Sequence, residues 1–249
     1  MIRQARPEAV SAGRSGAEWQ VEVGAEATTA LFQPAADGSA SILFVFAHGA
    51  GGHMSDRGMA QLAEVLQRIG LATVRFNFLY REQGNRRPDP MPRLQACLAA
   101  VVERARRELQ PSLLLMGGRS MGGRAASMME AETPTCDGLL LLAYPLHPAG
   151  QPEKLRDAHL ARIGVPVLCC NGTRDSLCRK DLMEGVVRRL GTAWTMHWLE
   201  AADHGFHVLK SSGRSDADVL EEIAQASLAW LARMVRGSPT DFGAAWPPA

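Results

Sequence analysis

The sequence predicts an α/β fold in which helices cover both faces of a mostly parallel sheet. Short, continuous apolar runs, such as residues 42–47 and 139–143, are typical of strands that are buried on both faces. Longer stretches with apolar residues at helical spacing alternate with these runs along the chain. This alternation indicates a doubly wound sheet, and the 249 residues contain no repeat or linker that would divide it into domains.

The first two predicted strands differ from the others. Residues 19–23 alternate large apolar and polar side chains, as a half-buried edge strand does, and residues 28–32 are expected to pair with them. Residues 34–39 are a predicted turn. The predicted buried strands that follow are residues 41–47, 71–78, 113–116, 139–145, 166–172 and 194–200.

The predicted helices carry apolar stripes that would face the sheet. Residues 56–69 place Met59, Leu62 and Leu66 on one side, and Gly70 ends this helix. Residues 91–109 carry a similar stripe. The remaining helices are predicted at residues 121–132, 152–162, 179–190 and 215–235.

The two ends of the chain are predicted to lie outside the domain. Residues 1–17 are rich in Arg, Ser and Ala and are expected to be flexible, residues 18–236 form a single domain, and residues 237–249 form an irregular tail. No apolar run follows the N-terminal arginines, so we expect no secretory signal. A hydrophobic content of 46% and a charged content of 21% are typical of a globular protein.

Composition limits the expected partners. A formal net charge of +1 gives no general attraction to nucleic acid or to an anionic membrane, and no apolar run approaches the roughly 20 residues of a membrane span. The five cysteines cannot all pair in disulfides, because their number is odd, and none of them has the spacing of zinc ligands. This usage favours a protein of the reducing cytoplasm. We therefore expect a cytoplasmic protein that acts on a small molecule, and the sequence leaves its oligomeric state open.

A glycine-rich turn follows the predicted strand at residues 113–116. The segment GRSMG, residues 118–122, has the pattern of a nucleophile elbow, a sharp strand-to-helix turn with a serine at its apex. The alternative is a structural turn in which Ser120 only caps the helix. The apolar run before the turn and the helical stretch after it favour Ser120 as a nucleophile.

A serine nucleophile needs a base, a group that orients the base, and donors for the oxyanion. In a doubly wound sheet these groups lie at the carboxyl ends of strands. Asp175 follows the predicted strand at residues 166–172, and His204 follows the strand at residues 194–200. The chain order Ser120, Asp175, His204 predicts that His204 accepts the serine proton and that Asp175 orients the imidazole.

The assignment of Asp175 and His204 has alternatives. Asp175 could instead cap the helix that follows it, in which case Asp203 is the second candidate for the acid. The position of Asp203 next to His204 favours a role in holding the loop. His207 could form a His-x-x-His metal pair with His204, but no third ligand has suitable spacing, so we expect neither a metal nor another cofactor.

Three further histidines are predicted to lie outside the triad. His147 follows a strand end and could line the cleft, His159 is expected to be exposed on a helix, and His197 lies inside a predicted strand.

Two backbone N–H groups are expected to form an oxyanion hole. Met121, directly after the nucleophile, supplies one of them. The loop HGAGG, residues 48–52, follows the strand at residues 41–47, and its glycines let the backbone turn toward the serine. Ala50 or Gly51 is the expected second donor, and His48 is expected to brace the loop.

These segments resemble a known superfamily. HGAGG, GRSMGG, NGTRD and DHGF occur in the order and context of the α/β-hydrolases, and they look most like the dienelactone-hydrolase-type branch. Longer segments, such as HGAGGHMSD, YPLHP and DHGFHVLK, resemble small bacterial relatives of the α/β-hydrolase-like domain of testis-expressed and NSL-complex-subunit proteins. The resemblance covers residues 21–235 and implies the α/β-hydrolase fold and a serine hydrolase triad, but no particular substrate.

The segment between Pro145 and Pro166 is too short for a large cap domain, because it has room for only one short helix. We therefore expect an open cleft that suits small or solvent-facing esters.

Arginines are expected near this cleft. Arg81 and Arg87 lie in the loop at residues 80–90, which follows a strand end, while Arg119 flanks the nucleophile and Arg124 lies one turn into the next helix. These arginines could form a clamp for a carboxylate or phosphate group of the substrate. The alternative is that Arg81 and Arg87 pair with the acids at positions 82 and 89, and that Arg124 packs on its helix.

The sequence thus favours a serine hydrolase that cleaves a small ester or acyl bond through an acyl-enzyme. A protein that keeps this fold as a non-catalytic scaffold is the second hypothesis. An acyltransferase that uses the same triad with a nucleophile other than water is the third.

Overall fold

The computed structural model describes residues 16–191 and 193–237. The predicted flexible N-terminus and irregular tail lie almost wholly outside these residues. Residue 17, placed in the flexible segment by the sequence, is the first residue of the first strand.

Eight strands form one sheet. They are β1 (Ala17–Val23), β2 (Glu26–Gln33), β3 (Ile42–Ala47), β4 (Ala72–Phe76), β5 (Leu113–Arg119), β6 (Gly138–Leu142), β7 (Val167–Gly172) and β8 (Trp194–Leu199). The strand order is β1-β2-β4-β3-β5-β6-β7-β8. The pairs β1–β2 and β2–β4 are antiparallel, and all the other pairs are parallel, as the apolar strand pattern predicts.

Helices lie on both faces of this sheet. They are α1 (Arg57–Arg68), α2 (Leu79–Glu82), α3 (Met91–Leu109), α4 (Met121–Glu132), α5 (Lys180–Leu190) and α6 (Asp216–Gly237). The short helix α2 was not expected from the sequence. None of the helices in the described part of the chain is long and apolar enough to cross a bilayer.

The central strands alternate their side chains between two apolar cores. Leu43 and Val45 of β3 pack into the core that contains α3, α4 and α5. Phe44 and Phe46 of the same strand pack into the core that contains α1 and α6. Burial on both faces explains why β3 has an apolar run without polar alternation.

Residues 152–162 do not form the predicted helix. The structure has turns there and a single 3-10 turn at Leu160–Arg162. The N–H of Arg156 donates to the carbonyl of Leu146 at 2.7 Å, and the Tyr144 hydroxyl donates to the carbonyl of Arg156 at 2.7 Å. These tertiary bonds use backbone groups that a helix would need for itself, and they hold the segment against the end of β6.

The parallel strands β3, β5, β6, β7 and β8 all end at the same edge of the sheet. The loops that carry the candidate nucleophile, acid, base and oxyanion donors therefore converge there.

Candidate active site

Ser120 lies at a strained turn between β5 and α4. Its backbone has φ 52° and ψ −115°, a region that non-glycine residues rarely adopt. The Ser120 N–H donates to the Leu142 carbonyl at 2.8 Å, which ties the turn to the neighbouring strand β6. This strain places the hydroxyl at the apex of the turn.

Glycines make the turn possible because neighbouring backbones approach it closely. A Cβ on Gly118 would lie 2.3 Å from the Ala47 carbonyl oxygen. A Cβ on Gly122 would lie 2.6 Å from the carbonyl oxygens of both Ala47 and His48. Both distances are too short for any side chain, so this packing of α4 against the end of β3 requires glycine.

Ser120, His204 and Asp175 form a continuous chain of hydrogen bonds. His204 Nε2 lies 2.9 Å from Ser120 Oγ, and His204 Nδ1 lies 2.9 and 2.8 Å from the two carboxylate oxygens of Asp175. The Asp175 side chain is fully buried, whereas 27% of the His204 side chain is exposed. The three residues that the sequence singled out from separate loops are thus brought together.

A neighbouring residue that the sequence reasoning missed holds the Asp175 carboxylate. Asn171 Nδ2 donates to Asp175 Oδ2 at 3.1 Å, and the Leu177 N–H donates to Asp175 Oδ1 at 2.8 Å. Asn171 also exchanges hydrogen bonds with the backbone N–H and carbonyl of Tyr144 at 3.0 and 3.1 Å. The only available signal was a polar residue near the end of an otherwise apolar strand.

The loop at residues 48–52 lies beside Ser120. A Cβ on Gly49 would contact Ser120 Cβ at 3.4 Å, and the Gly52 N–H closes a turn onto the Gly49 carbonyl at 3.0 Å. Met121 is the first residue of α4, so its N–H has no acceptor within the helix.

The Tyr80 hydroxyl lies next to this loop. Burial raises the pKa of Tyr80, and the nearby Gly51 amide opposes the shift. The hydroxyl is buried and makes no full hydrogen bond to the described residues. The Tyr80 hydroxyl is thus a buried polar group close to the backbone of Gly51.

His48 braces the loop from within the core. Its Nδ1–H donates to the Gly49 carbonyl at 2.8 Å, and its Nε2 accepts the Phe78 N–H at 3.1 Å. Burial lowers the pKa of His48 to about 4, so the ring is neutral at pH 7 and keeps one donor and one acceptor.

His147 does not line the cleft, which corrects the expectation from the sequence. It is 2% exposed, its Nδ1–H donates to the Pro148 carbonyl at 2.9 Å, and its Nε2 accepts the Arg179 N–H at 3.1 Å. Both ring nitrogens are occupied by backbone groups. His147 therefore joins the loop after β6 to the loop that carries Asp175, and it has no atom left for a substrate.

His159 is buried, not exposed on a helix as expected. Its Nε2 lies 2.8 Å from Ser127 Oγ, and burial, Arg124 and Arg162 lower its pKa to about 4. This second Ser–His pair has no acid on its histidine in the described part of the chain.

Asp203 and His207 shape the loop around His204. Asp203 Oδ1 accepts the N–H groups of Gly205 and His207 at 2.7 and 3.0 Å, which is a loop-holding role. His207 Nδ1 binds Asp216 at 2.7 Å. His197 lies in β8, as expected, and binds Glu222 at 2.8 Å.

Arg119 contacts the histidine loop. Its guanidinium donates to the His204 carbonyl at 3.3 Å and lies over the Phe206 ring, 5.6 Å from the centroid. Burial lowers the pKa of Arg119, and the negative charges of Asp203, Asp56 and Asp175 oppose the shift. The guanidinium that the sequence offered as part of a clamp for a substrate anion is therefore engaged with the loop that carries His204.

The arginines of the loop at residues 80–90 have neither of the expected ion pairs. Arg81 donates to the Asn85 carbonyl at 3.2 Å, and Arg87 is exposed. The two acids bind other groups: Glu82 accepts from Asn77 at 2.8 Å, and Asp89 lies 3.4 Å from Arg93. The proposed pairs of Arg81 and Arg87 with these acids are therefore wrong.

Comparison with known proteins assigns the chain to a family. Residues 40–232 match the model of the alpha/beta hydrolase domain family. An alpha-beta serine hydrolase homologue from Coxiella burnetii has a similar structure, with a TM-score of 0.70, 20% identity, and coverage of 85% of this chain and 97% of that one.

Two further solved structures share the fold. A serine hydrolase without lid from Xanthomonas campestris has a TM-score of 0.69 and 19% identity over 87% of this chain and 95% of its own. A dienelactone hydrolase from Anabaena variabilis has a TM-score of 0.65 and 23% identity over 88% of this chain and 98% of its own. With the family match covering most of its length, the chain belongs to the alpha/beta hydrolase domain family.

Proposed function

We propose that this protein is a serine hydrolase that cleaves a small carboxylic ester through an acyl-enzyme. The observation that carries the proposal is the hydrogen-bonded chain from Ser120 Oγ through His204 to the buried Asp175. Ser120, the partly exposed imidazole of His204 and the buried carboxylate of Asp175 supply the nucleophile, the base and the orienting acid that nucleophilic acyl transfer uses.

In the first step Ser120 Oγ attacks the ester carbonyl carbon while His204 Nε2 accepts the hydroxyl proton. Asp175 accepts the hydrogen bond from His204 Nδ1–H and stabilises the imidazolium that forms. Asn171 and the Leu177 N–H hold the carboxylate in place for this task.

The oxyanion of the tetrahedral intermediate is bound by two backbone N–H groups. Met121 supplies the first. Ala50 or Gly51, in the loop whose Gly49 lies against Ser120, supplies the second. Removing one such donor in a serine hydrolase costs about 100- to 1000-fold in turnover.

The intermediate then collapses, and His204 returns the proton to the leaving alcohol. Water attacks the acyl-enzyme with His204 again as the base, and this second attack releases the acid and restores Ser120. Attack by another alcohol or amine in this step would make the protein an acyltransferase.

The surroundings of the site favour small substrates. Between β6 and β7 the chain forms only turns and one 3-10 turn, so no cap domain covers the edge of the sheet. The five cysteines are all free, four of them buried, which supports our proposal of a reducing cytoplasm.

A series of 4-nitrophenyl esters tests the proposal. We expect hydrolysis of the acetate and butyrate, a fall with longer acyl chains, and a loss of at least about 1000-fold in Ser120→Ala. Ser227→Ala is the matched control, because Ser227 is buried in α6 and bonds only its own helix, at 2.8 Å to the Ile223 carbonyl. Equal activity of wild type and Ser120→Ala would refute the proposal, and a preference for long chains would refute its substrate class.

A further inference from the structure

One arginine of the sheet is buried and makes no ion pair with the described residues. Arg75 lies in β4 and is 5% exposed, and it is the only buried arginine in the described part of the chain. Its guanidinium donates to the Met54 carbonyl at 2.7 Å and to Gln33 Oε1 at 2.6 Å. Burying a cation against neutral acceptors costs stability, so Arg75 calls for a reason other than packing.

Arg75 and Asn77 bind the two polar backbone groups of Met54. Asn77 directly follows β4 and is 3% exposed, and its Oδ1 accepts the Met54 N–H at 2.9 Å. Its Nδ2 donates to Glu82 Oε1 at 2.8 Å and lies 2.9 Å from His53 Nε2, so the amide is itself held in place. The backbone of Met54 is thus fixed from both sides by side chains from the end of β4.

Met54 is one of two fixed points of the loop that carries the candidate oxyanion donors. The other is Gly49, whose Cβ would lie 3.4 Å from Ser120 Cβ and whose carbonyl accepts His48 Nδ1–H at 2.8 Å. Ala50 and Gly51 lie between these points and are exposed. The directions of their N–H groups therefore depend on how firmly both points are held.

We propose that Arg75, together with Asn77, is a positioning residue for the oxyanion hole. By fixing Met54, the two side chains hold the amides of residues 50 and 51 where the oxyanion forms. The proposal rests on the proposed function, because an oxyanion forms only if Ser120 attacks a carbonyl. Such donors lower the barrier only when they are fixed before the reaction, and a displacement of about 1 Å can cost about 100-fold in rate.

An ester and its thionoester separate this role from a general loss of structure. The sulfur of O-(4-nitrophenyl) thionoacetate is larger than oxygen and accepts hydrogen bonds poorly, so it gains little from an oxyanion hole. In Arg75→Met we expect kcat/KM for 4-nitrophenyl acetate to fall about 10- to 100-fold, and kcat/KM for the thionoacetate to fall less than about threefold. Arg75→Lys can keep one of the two bonds and should recover part of the preference for the acetate.

Thr73→Val is the matched control. Thr73 lies two residues before Arg75 in β4, is fully buried, and its hydroxyl accepts a hydrogen bond from Gln67 Nε2 at 2.8 Å. It makes no hydrogen bond to the loop at residues 48–54. This variant loses a buried hydrogen bond of the same strand, and its preference for the acetate should stay within about twofold of the wild type.

Amide exchange tests the same role without turnover. Hydrogen–deuterium exchange of residues 49–54 should be at least about tenfold faster in Arg75→Met and in Asn77→Leu than in the wild type and in Thr73→Val. Faster exchange in a protein whose wild type hydrolyses no ester would refute the hydrolase but sustain the anchoring of the loop. Unchanged exchange, or equal losses for the ester and the thionoester, would overturn the proposal. Asn77→Leu, which should show the same selective loss, decides if Arg75→Met fails to fold.

Discussion

The guanidinium of Arg119 donates a hydrogen bond to the backbone carbonyl of His204, across 85 residues of sequence. It also lies over the ring of Phe206, which is 2% exposed and has φ 66°. Arg119, which directly precedes the proposed nucleophile Ser120, therefore holds the loop that carries the proposed base His204. The Arg119 side chain thus helps to set the distance between Ser120 Oγ and His204 Nε2, although it contacts neither of these atoms.

Arg119→Met should lower kcat about tenfold and change KM by less than about twofold. The reason is that small displacements of a catalytic base slow the chemical step more than they weaken substrate binding. Steady-state kinetics with 4-nitrophenyl acetate measure the effect. Arg106→Met is the matched control, because the Arg106 guanidinium also donates to a backbone carbonyl, that of Thr135, but contacts no part of the loop that carries His204. A change confined to KM would contradict the positioning role.

Asn171→Ala should destabilise the fold by about 1–3 kcal/mol, since it leaves the buried N–H of Tyr144 without a partner and removes one of the two donors to the Tyr144 carbonyl, which keeps the Leu146 N–H. It should also lower kcat, because the Asp175 carboxylate loses one of the two donors that hold it besides His204. Urea unfolding and ester hydrolysis measure the two effects. A loss of stability below about 0.5 kcal/mol would show that water or a rearranged loop replaces the amide.

Gly122→Ala should cost at least about 1–3 kcal/mol, because its Cβ would overlap two carbonyl oxygens at 2.6 Å. Gly185→Ala is the matched helical control. A Cβ there meets only Arg188 at 3.7 Å, so alanine should stabilise α5 by about 0.5–1 kcal/mol. Thermal or urea unfolding distinguishes the two signs, and equal effects would contradict the close approach of α4 to β3.

Acid should destabilise the protein through His48 and His159. Their folded pKa values of about 4 lie below the unfolded value of 6.5, so the unfolded chain takes up protons first. The stability that each neutral ring contributes is present above pH 6.5 and is lost as the pH falls toward 4. Between pH 7 and pH 5 each should contribute a loss of roughly 2 kcal/mol.

Urea unfolding of wild type and His159→Gln at pH 7 and pH 5 tests this pH dependence. We expect the difference in unfolding free energy between the two pH values to be smaller in the variant by roughly 2 kcal/mol. An unchanged difference would mean that His159 titrates normally in the folded state.

The order of strands and helices could be predicted because burial on two faces leaves a strong apolar pattern in the sequence. The segment at residues 152–162 could not, because its conformation depends on bonds from Tyr144 and Leu146 that lie outside it. Local spacing gives no information on such tertiary bonds.

Some residues of the candidate site could likewise be predicted from the sequence, and others could not. Ser120, Asp175 and His204 could be found because each follows a strand end within a recognisable turn. The sequence offered Arg119 as part of a clamp for a substrate anion, but the structure turns its guanidinium toward the His204 carbonyl. Which way a side chain points from a helix or strand end depends on the packing of distant segments.

Covalent labelling with a fluorophosphonate probe tests the central claim most directly. We expect the intact mass of the wild type to increase by one phosphonyl group, with the label on the peptide that contains Ser120. Ser120→Ala should not be labelled, whereas Ser127→Ala should be labelled as the wild type is. Absence of label on the folded wild type, or equal labelling of Ser120→Ala, would contradict the account.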